Sequence, residues 1–231
     1  MILCHGLTND RFTCPLIERA NELFLQNGAI TFRFDFFGSG ASDGIFREKT
    51  ISEMITNLED AIRFMASIKG IDSTRVGIWG RSVGGVVAAA CSNPTQIKTN
   101  ILVSAPVLVY KTFYPLYERF GQADFSPIGK AISDAASGKV KGALELPRTF
   151  FQELLDLQGK IADNLSRMKS VLIVQGNQDK KVSPENAYFI YERVGDPKQL
   201  EIIDGADHAY SGKEVQVMNI VSHWFSGAGS I

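Results

Sequence analysis

Along most of the chain, short unbroken apolar runs alternate with longer stretches of helical spacing. The runs Met1–His5, Ile30–Phe36, Arg75–Gly80, Asn100–Ala105, Ser170–Gly176 and Leu200–Asp204 are rich in Val, Ile and Leu and mostly do not alternate with polar residues. A strand that is apolar on both faces has to be covered on both faces, so these runs predict a parallel sheet between helical layers. The intervening stretches carry helix punctuation. Pro15 opens one that Gly28 closes. Thr50 and Glu53 form a capping-box pair ahead of ISEMITNLEDAIRFMASI. Ser183-Pro184 reads as N-cap and first-turn proline of a helix that stops by Gly195, and a last helix covers about residues 214–225. The expected fold class is α/β, a mostly parallel sheet flanked by helices.

The alternation fails between Pro106 and Met168, where no strand of the main sheet is evident. This divides the chain into a core of residues 1–105 and 169–231 and an insertion of residues 106–168. A long insertion in a compact domain is usually a lid or binding element. Its aromatic residues Phe113, Tyr114, Tyr117, Phe120 and Phe150, with Phe125 and Phe151 nearby, are candidates for lining an apolar pocket or for forming the insertion's own small core.

Composition narrows the partners. A chain of 231 residues suits one α/β domain. Lys and Arg number 24 against 25 Asp and Glu, a net charge of −1 that gives no electrostatic reason to expect nucleic acid or an anionic membrane. No apolar run is long enough to span a bilayer. The start, MILCHGLTND, shows neither a charged leader nor a cleavable apolar segment. Cys4, Cys14 and Cys91 have no metal-ligand spacing and read as reduced thiols, so a cytoplasmic protein without metal or organic cofactor is expected.

The chemistry begins at Gly80-Arg81-Ser82-Val83-Gly84, a G-x-S-x-G placed between the buried run RVGIWG and the helical run VVAAACS. Strand, sharp turn and helix in that order form a nucleophile elbow. The chain reverses so tightly at the serine that side chains at Gly80, Gly84 and Gly85 would collide. A serine hydroxyl needs a base, and in this kind of fold the order is Ser, acid, His. That order excludes His5, which reads as a holder of its loop. His223 lies within the last helix. His208, in DGADHAYSG directly after LEIID, is left as the base, at a strand's C-terminal end where open α/β sheets gather catalytic groups. Asp179, in QGNQDKKVSP just past SVLIVQ, is the acid that would orient it, and Asp35 in FRFDFFGSG is the rival. Asp204 and Asp207 lie too close to His208 in sequence, and Glu185 and Glu192 fall inside a helix. Two backbone donors complete the set, the N–H of Val83 after the serine and that of Leu7 in the loop His5-Gly6-Leu7-Thr8.

HGLTND, FRFDFFGSGASDG, GRSVGG, QGNQDKKVSPENA and EIIDGADHAYSG resemble, in order and spacing over essentially the whole chain, the α/β-hydrolase serine esterases of the cinnamoyl (feruloyl) type and the wider serine aminopeptidase and monoacylglycerol lipase-like group. The resemblance implies the α/β-hydrolase fold with six strands in the family order 4-3-5-6-7-8 and a lid over the acyl pocket at residues 106–168. It differs at Arg81 and Val83, where the family usually has His and Gln. Such proteins normally begin with two further strands, whereas this sequence opens at the HG strand. Ile30–Phe36 is thus expected at the sheet edge, covered in a homodimer or by a segment upstream of Met1.

The function expected from these residues is hydrolysis of a small or medium acyl or aryl ester through an acyl-enzyme at Ser82, with a small-molecule ester as the partner. An amide or peptide hydrolase or an acyltransferase with the same three residues is the near alternative. A non-catalytic binding protein on the same fold is the distant one.

Overall fold

The structure, a computed structural model, describes residues 1–91, 96–118 and 145–227 in full and the backbone of residues 119–120 and 125–127. Its main sheet has six strands: β1 (Ile2–Cys4), β2 (Phe32–Arg33), β3 (Gly77–Arg81), β4 (Thr99–Val103), β7 (Lys169–Gly176) and β8 (Gly195–Ile203). They lie in the order β2-β1-β3-β4-β7-β8 and every pairing is parallel. This is the order expected from the resemblance. A minor antiparallel pair, β5 (Phe125–Pro127) and β6 (Glu145–Pro147), lies between β4 and β7 in the chain.

Eight helices are described: α1 (Pro15–Gln26), α2 (Ile51–Ser67), α3 (Val83–Ala90), α4 (Val109–Phe120), α5 (Arg148–Asp156), α6 (Gln158–Arg167), α7 (Glu185–Arg193) and α8 (Glu214–Ser226). They cover the sheet from both sides. Successive residues of β1 divide between two cores. Leu3 joins Trp79, Ile101, Val103 and Leu172 under α1 and α8. Ile2 and Cys4 join Ile78, Leu102, Val171 and Ile173 under α2, α3, α6 and α7. This two-sided burial explains why the strands read as continuous apolar runs.

Two strands differ from their sequence signal. β8 begins at Gly195 rather than Leu200, because the polar start GDPKQ is held by backbone pairing to β7, past a register shift between Lys169 and Val171. β2 shrinks to Phe32–Arg33, since it pairs on one side only, with β1, and is half-buried. The segment between β4 and β7 supplies α4, α5 and α6, whose residues Phe113, Phe150, Phe151 and Leu154 belong to the same core cluster as the sheet. Among the described residues no helix is long and apolar enough to cross a membrane.

Consecutive strands diverge on either side of β1: β2 lies to one side and β3 to the other. The C-terminal ends of β1 and β3 therefore flank a point where the winding reverses, and such points are where open α/β sheets accept ligands.

The helix signals also resolve in detail. Gly28 follows α1 with φ of +78°, the left-handed conformation that ends a helix. At α2 the Thr50 Oγ1 accepts from the Glu53 N–H at 3.1 Å, but the Glu53 carboxylate accepts from Asn57 Nδ2 rather than closing a capping box. Thr50→Ala is accordingly expected to cost about 1 kcal/mol of stability and Glu53→Ala only a few tenths, measured by urea unfolding. Equal losses would restore the reciprocal box.

Candidate active site

The sheet delivers its polar residues to one end. Ser82 follows β3 directly, with φ 52° and ψ −125°, a conformation that costs a non-glycine residue about 1–3 kcal/mol. Neighbouring bonds hold it there. Its N–H donates to Val103 O at 2.9 Å, and its carbonyl accepts from the Gly85 N–H at 2.8 Å. A Cβ at Gly80 would lie 2.7 Å from the Gly85 Cα, and one at Gly84 2.6 Å from the carbonyl oxygens of Cys4 and His5. The glycines thus let α3 turn back on its own strand and press its first turn against the end of β1. Val83 opens α3, and the leading N–H groups of a helix have no partner within it.

Asp179 and His208 meet across the ends of β7 and β8. His208 Nδ1 lies 2.7 Å from Asp179 Oδ2. The Asp179 side chain is wholly buried and that of His208 is 15% exposed. The carboxylate is fully engaged: Oδ1 accepts from the Lys181 and Val182 N–H groups, both at 2.9 Å, and Oδ2 also accepts from Gln175 Nε2 at 3.2 Å. Burial works against its charge, but the bonds from His208, Val182 and Lys181 outweigh burial and hold the carboxyl below its ordinary range. An ionised carboxylate can only accept. The His208 hydrogen therefore resides on Nδ1 and leaves Nε2 with a lone pair.

Around the histidine loop, Tyr210 has φ of 59° and is fully buried. Its hydroxyl donates to Val174 O at 3.0 Å, and Ser104 Oγ lies 2.8 Å away, so the serine donates to it. Gln178 N–H donates to Ala206 O at 3.0 Å, tying the acid loop to the histidine loop.

Arg81, the residue before Ser82, is the link that its residue type alone does not reveal. Its buried guanidinium donates from Nη2 to His208 O at 2.9 Å and from Nη1 to Asn9 Oδ1 at 3.3 Å. One side chain thereby joins the elbow, the histidine loop and the loop after β1. Its presence where the resembled family usually carries His was the signal available in the sequence. In the β1 loop, Gly6 sits so close that a Cβ there would be 3.5 Å from the Ser82 Cβ. Leu7 follows it and is buried.

The other candidates are placed elsewhere. Asp35 accepts from the Arg11 N–H and Nη1 and from the Ala41 N–H, and so braces the loops after β1 and β2. His223 is exposed on α8. His5 is fully buried. The Phe36 N–H donates to its Nε2 at 3.1 Å, so Nδ1 carries the hydrogen and donates to Gly6 O at 2.7 Å. Burial first, then the charge of Lys49, pushes His5 down to about 4, so it is neutral at physiological pH. Of the aromatic candidates in residues 106–168, Phe113 and Phe150 are buried and belong to the core cluster of the sheet. Tyr114 and Tyr117 line a cavity together with Glu118 and Arg148. The side chains of Phe120 and Phe125 lie outside the described residues.

Comparison with known proteins agrees with this architecture. The family model described as "Serine aminopeptidase, S33" matches residues 1–137. An Escherichia coli protein described as an uncharacterized 31.7 kDa protein in the traX-finO intergenic region is 27% identical, covering 97% of this chain and 89% of its own. Among solved structures, the Butyrivibrio proteoclasticus protein Est1E with bound ferulic acid superposes with a TM-score of 0.79 at 21% identity, covering 97% of this chain and 87% of that one. The monoacylglycerol lipase of Paleococcus ferrophilus gives 0.72 at 18% identity, covering 98% and 93%. With the family model spanning more than half of the sequence and the sheet order matching, the chain belongs to the serine aminopeptidase S33 family and is a serine hydrolase of the α/β-hydrolase fold.

Proposed function

We propose that the protein hydrolyses carboxylic esters of small or medium acyl or aryl groups, with Ser82, His208 and Asp179 as its catalytic residues. The observation that carries this reading is the 2.7 Å bond from His208 Nδ1 to a wholly buried, fully hydrogen-bonded carboxylate. It leaves Nε2 as a base at the end of the sheet where Ser82 caps β3. In the acylation step, Ser82 Oγ attacks the ester carbonyl carbon while its proton passes to His208 Nε2. The Val83 and Leu7 N–H groups receive the oxyanion. The carbonyl re-forms, the C–O bond to the alcohol breaks, and the alcohol leaves with the proton from His208. Water then attacks the acyl-serine, with His208 again taking the proton and returning it to Ser82. Asp179 stays ionised throughout and stabilises the transient imidazolium.

Residues 106–168 would act as the lid, with Tyr114 and Tyr117 as the candidate ring contacts for the acyl or aryl group. The aryl preference draws support from the ferulic acid bound to the structurally similar Est1E. A second reading, cleavage of an N-terminal aminoacyl amide, is favoured by the family's description as serine aminopeptidases. It uses the same three residues and differs in the leaving group.

Ser82→Ala is expected to abolish both p-nitrophenyl ester turnover and fluorophosphonate labelling while leaving the circular dichroism spectrum unchanged. A folded alanine variant that kept most of its turnover would refute the nucleophile. Across a panel of p-nitrophenyl esters and aminoacyl p-nitroanilides, kcat/KM is expected to be higher for the esters. The reverse order would select the aminopeptidase reading.

Asp179→Asn is expected to lower kcat by about 10⁴-fold, since an amide at that position can hold the imidazole in the wrong tautomer. The same variant tests the depressed carboxyl. A group whose folded value lies below its unfolded value of 3.8 stabilises the fold at higher pH, and that contribution disappears as pH falls through the folded value. The amide does not ionise and lacks this contribution, so the stability gap between parent and variant should be constant above about pH 5 and close below pH 4. A gap that persisted unchanged to about pH 2 would contradict the assignment.

A further inference from the structure

The catalytic scheme leaves several buried ionisable groups unused, and one of them is an amine. Lys49, at the end of the run FREK ahead of α2, is 1% exposed. Its Nζ donates to Leu7 O at 3.1 Å and to Ser39 Oγ, and stands 4.7 Å above the Phe46 ring. Asp35 is the carboxylate that acts on it electrostatically, and His5 is the imidazole that feels its charge. Burial, partly offset by Asp35, pushes the amine down to about 7.

We infer that Lys49 is a positioning residue for the oxyanion hole: by holding the Leu7 carbonyl it fixes the direction of the Leu7 N–H. The inference rests on the reading of Ser82 and Leu7 given above. A peptide unit is planar and trans, so its C=O and N–H point in opposite directions. The Leu7 N–H belongs to the unit that begins with the Gly6 carbonyl, and that carbonyl is held by His5 Nδ1 at 2.7 Å and by the Asn9 N–H at 3.2 Å. The next unit carries the Leu7 carbonyl, and Lys49 holds it. Fixing both planes fixes the two dihedral angles of Leu7 between them. Release of the second plane lets the first one tilt, because each is the other's only covalent constraint on that side.

A purely structural role does not account for the choice of residue. A buried ammonium loses the solvation it has in water, and methionine would fill the same space without that cost. The amine is kept beside the loop whose Leu7 N–H, with that of Val83, would receive the oxyanion. A donor aimed at the oxyanion is effective only when it is aligned before the charge develops.

Lys49→Met is the test. The expected result is a fall in kcat of about 10- to 100-fold with KM within about twofold, and a matching loss of affinity for an aryl trifluoromethyl ketone, which forms a tetrahedral adduct with the serine. The melting temperature at pH 7 is expected to be equal or higher, because below about pH 7 the parent carries the burial cost of the charged amine. A kcat within threefold of the parent, or a KM effect alone, would overturn the inference. So would activity and melting temperature falling together while the ketone affinity held. If the methionine variant does not fold, Ser39→Ala removes the second partner of the ammonium and keeps its charge. It is expected to lower kcat and ketone affinity by the same few-fold factor, and no change in either would overturn the inference. Ser82→Ala keeps the two readings apart. A dead Ser82→Ala beside a fully active Lys49→Met sinks only the role of Lys49, whereas an active Ser82→Ala sinks the serine mechanism itself.

Discussion

The backbone conformation of Ser82 is the constraint on which the rest of the site depends. A serine at φ 52° is held only if its surroundings over-determine it. Here the strand beside it takes its N–H, the helix after it takes its carbonyl, and two glycines remove the side chains that would obstruct the reversal. The same close approach of Gly84 to the carbonyls of Cys4 and His5 forces the first turn of α3 against the end of β1. The elbow and the loop that carries Leu7 are therefore one packed object.

Order on the other side of the site comes from electrostatics rather than packing. Asp179 is deep enough that its charge would be costly alone, and four donors surround its two oxygens. Two of those donors are backbone N–H groups of its own turn, so the carboxylate is oriented before the histidine reaches it. Arg81 then joins the two halves. Its guanidinium holds the carbonyl of His208 and the side chain of Asn9, so the His208 loop is referenced to the residue that precedes Ser82. An imidazole in place of this guanidinium has a shorter reach and a single donor at each ring nitrogen, and it would not span both partners in this way.

What the sequence made legible follows from what each physical signal encodes. Central parallel strands advertise themselves because both faces are apolar, and β3, β4 and β7 were readable to within a residue or two. The start of β8 was hidden because GDPKQ is held through its backbone, and side-chain polarity carries no information about ladder bonds. The locations of Ser82, Asp179 and His208 were readable because each follows an apolar run in a short loop. The enclosure of Lys49 was not readable, since a charged residue between Glu48 and Thr50 looks solvated whether or not the fold encloses it, and Arg81 was marked only by its departure from the resembled pattern, which does not say what it holds. The aromatic count of residues 106–168 likewise could not separate Phe113 and Phe150, which enter the core, from Tyr114 and Tyr117, which border a cavity.

The distribution of buried charge separates the two ends of the sheet. Among the described residues the buried charged side chains are Asp10, Asp35, Lys49, Arg81 and Asp179. Each lies at, or in the segment leaving, the C-terminal end of a strand. At the opposite end the buried polar side chains among the described residues are neutral, as where Trp224 Nε1 donates to Thr99 Oγ1 and Thr99 Oγ1 bonds the Ser170 carbonyl. Neutral pairs of that kind satisfy the backbone at little cost. Buried charges are costly, and stability alone favours apolar replacements. Their concentration at one end, with His5, Lys49 and Asp179 all displaced from their ordinary titration ranges there, marks the place where the fold maintains fixed dipoles and fixed loops at the expense of stability. The two ends share one sheet and one pair of helical layers. What distinguishes them is that under the proposed mechanism only the C-terminal end has to keep several loops in a single relative arrangement while a charge forms between them.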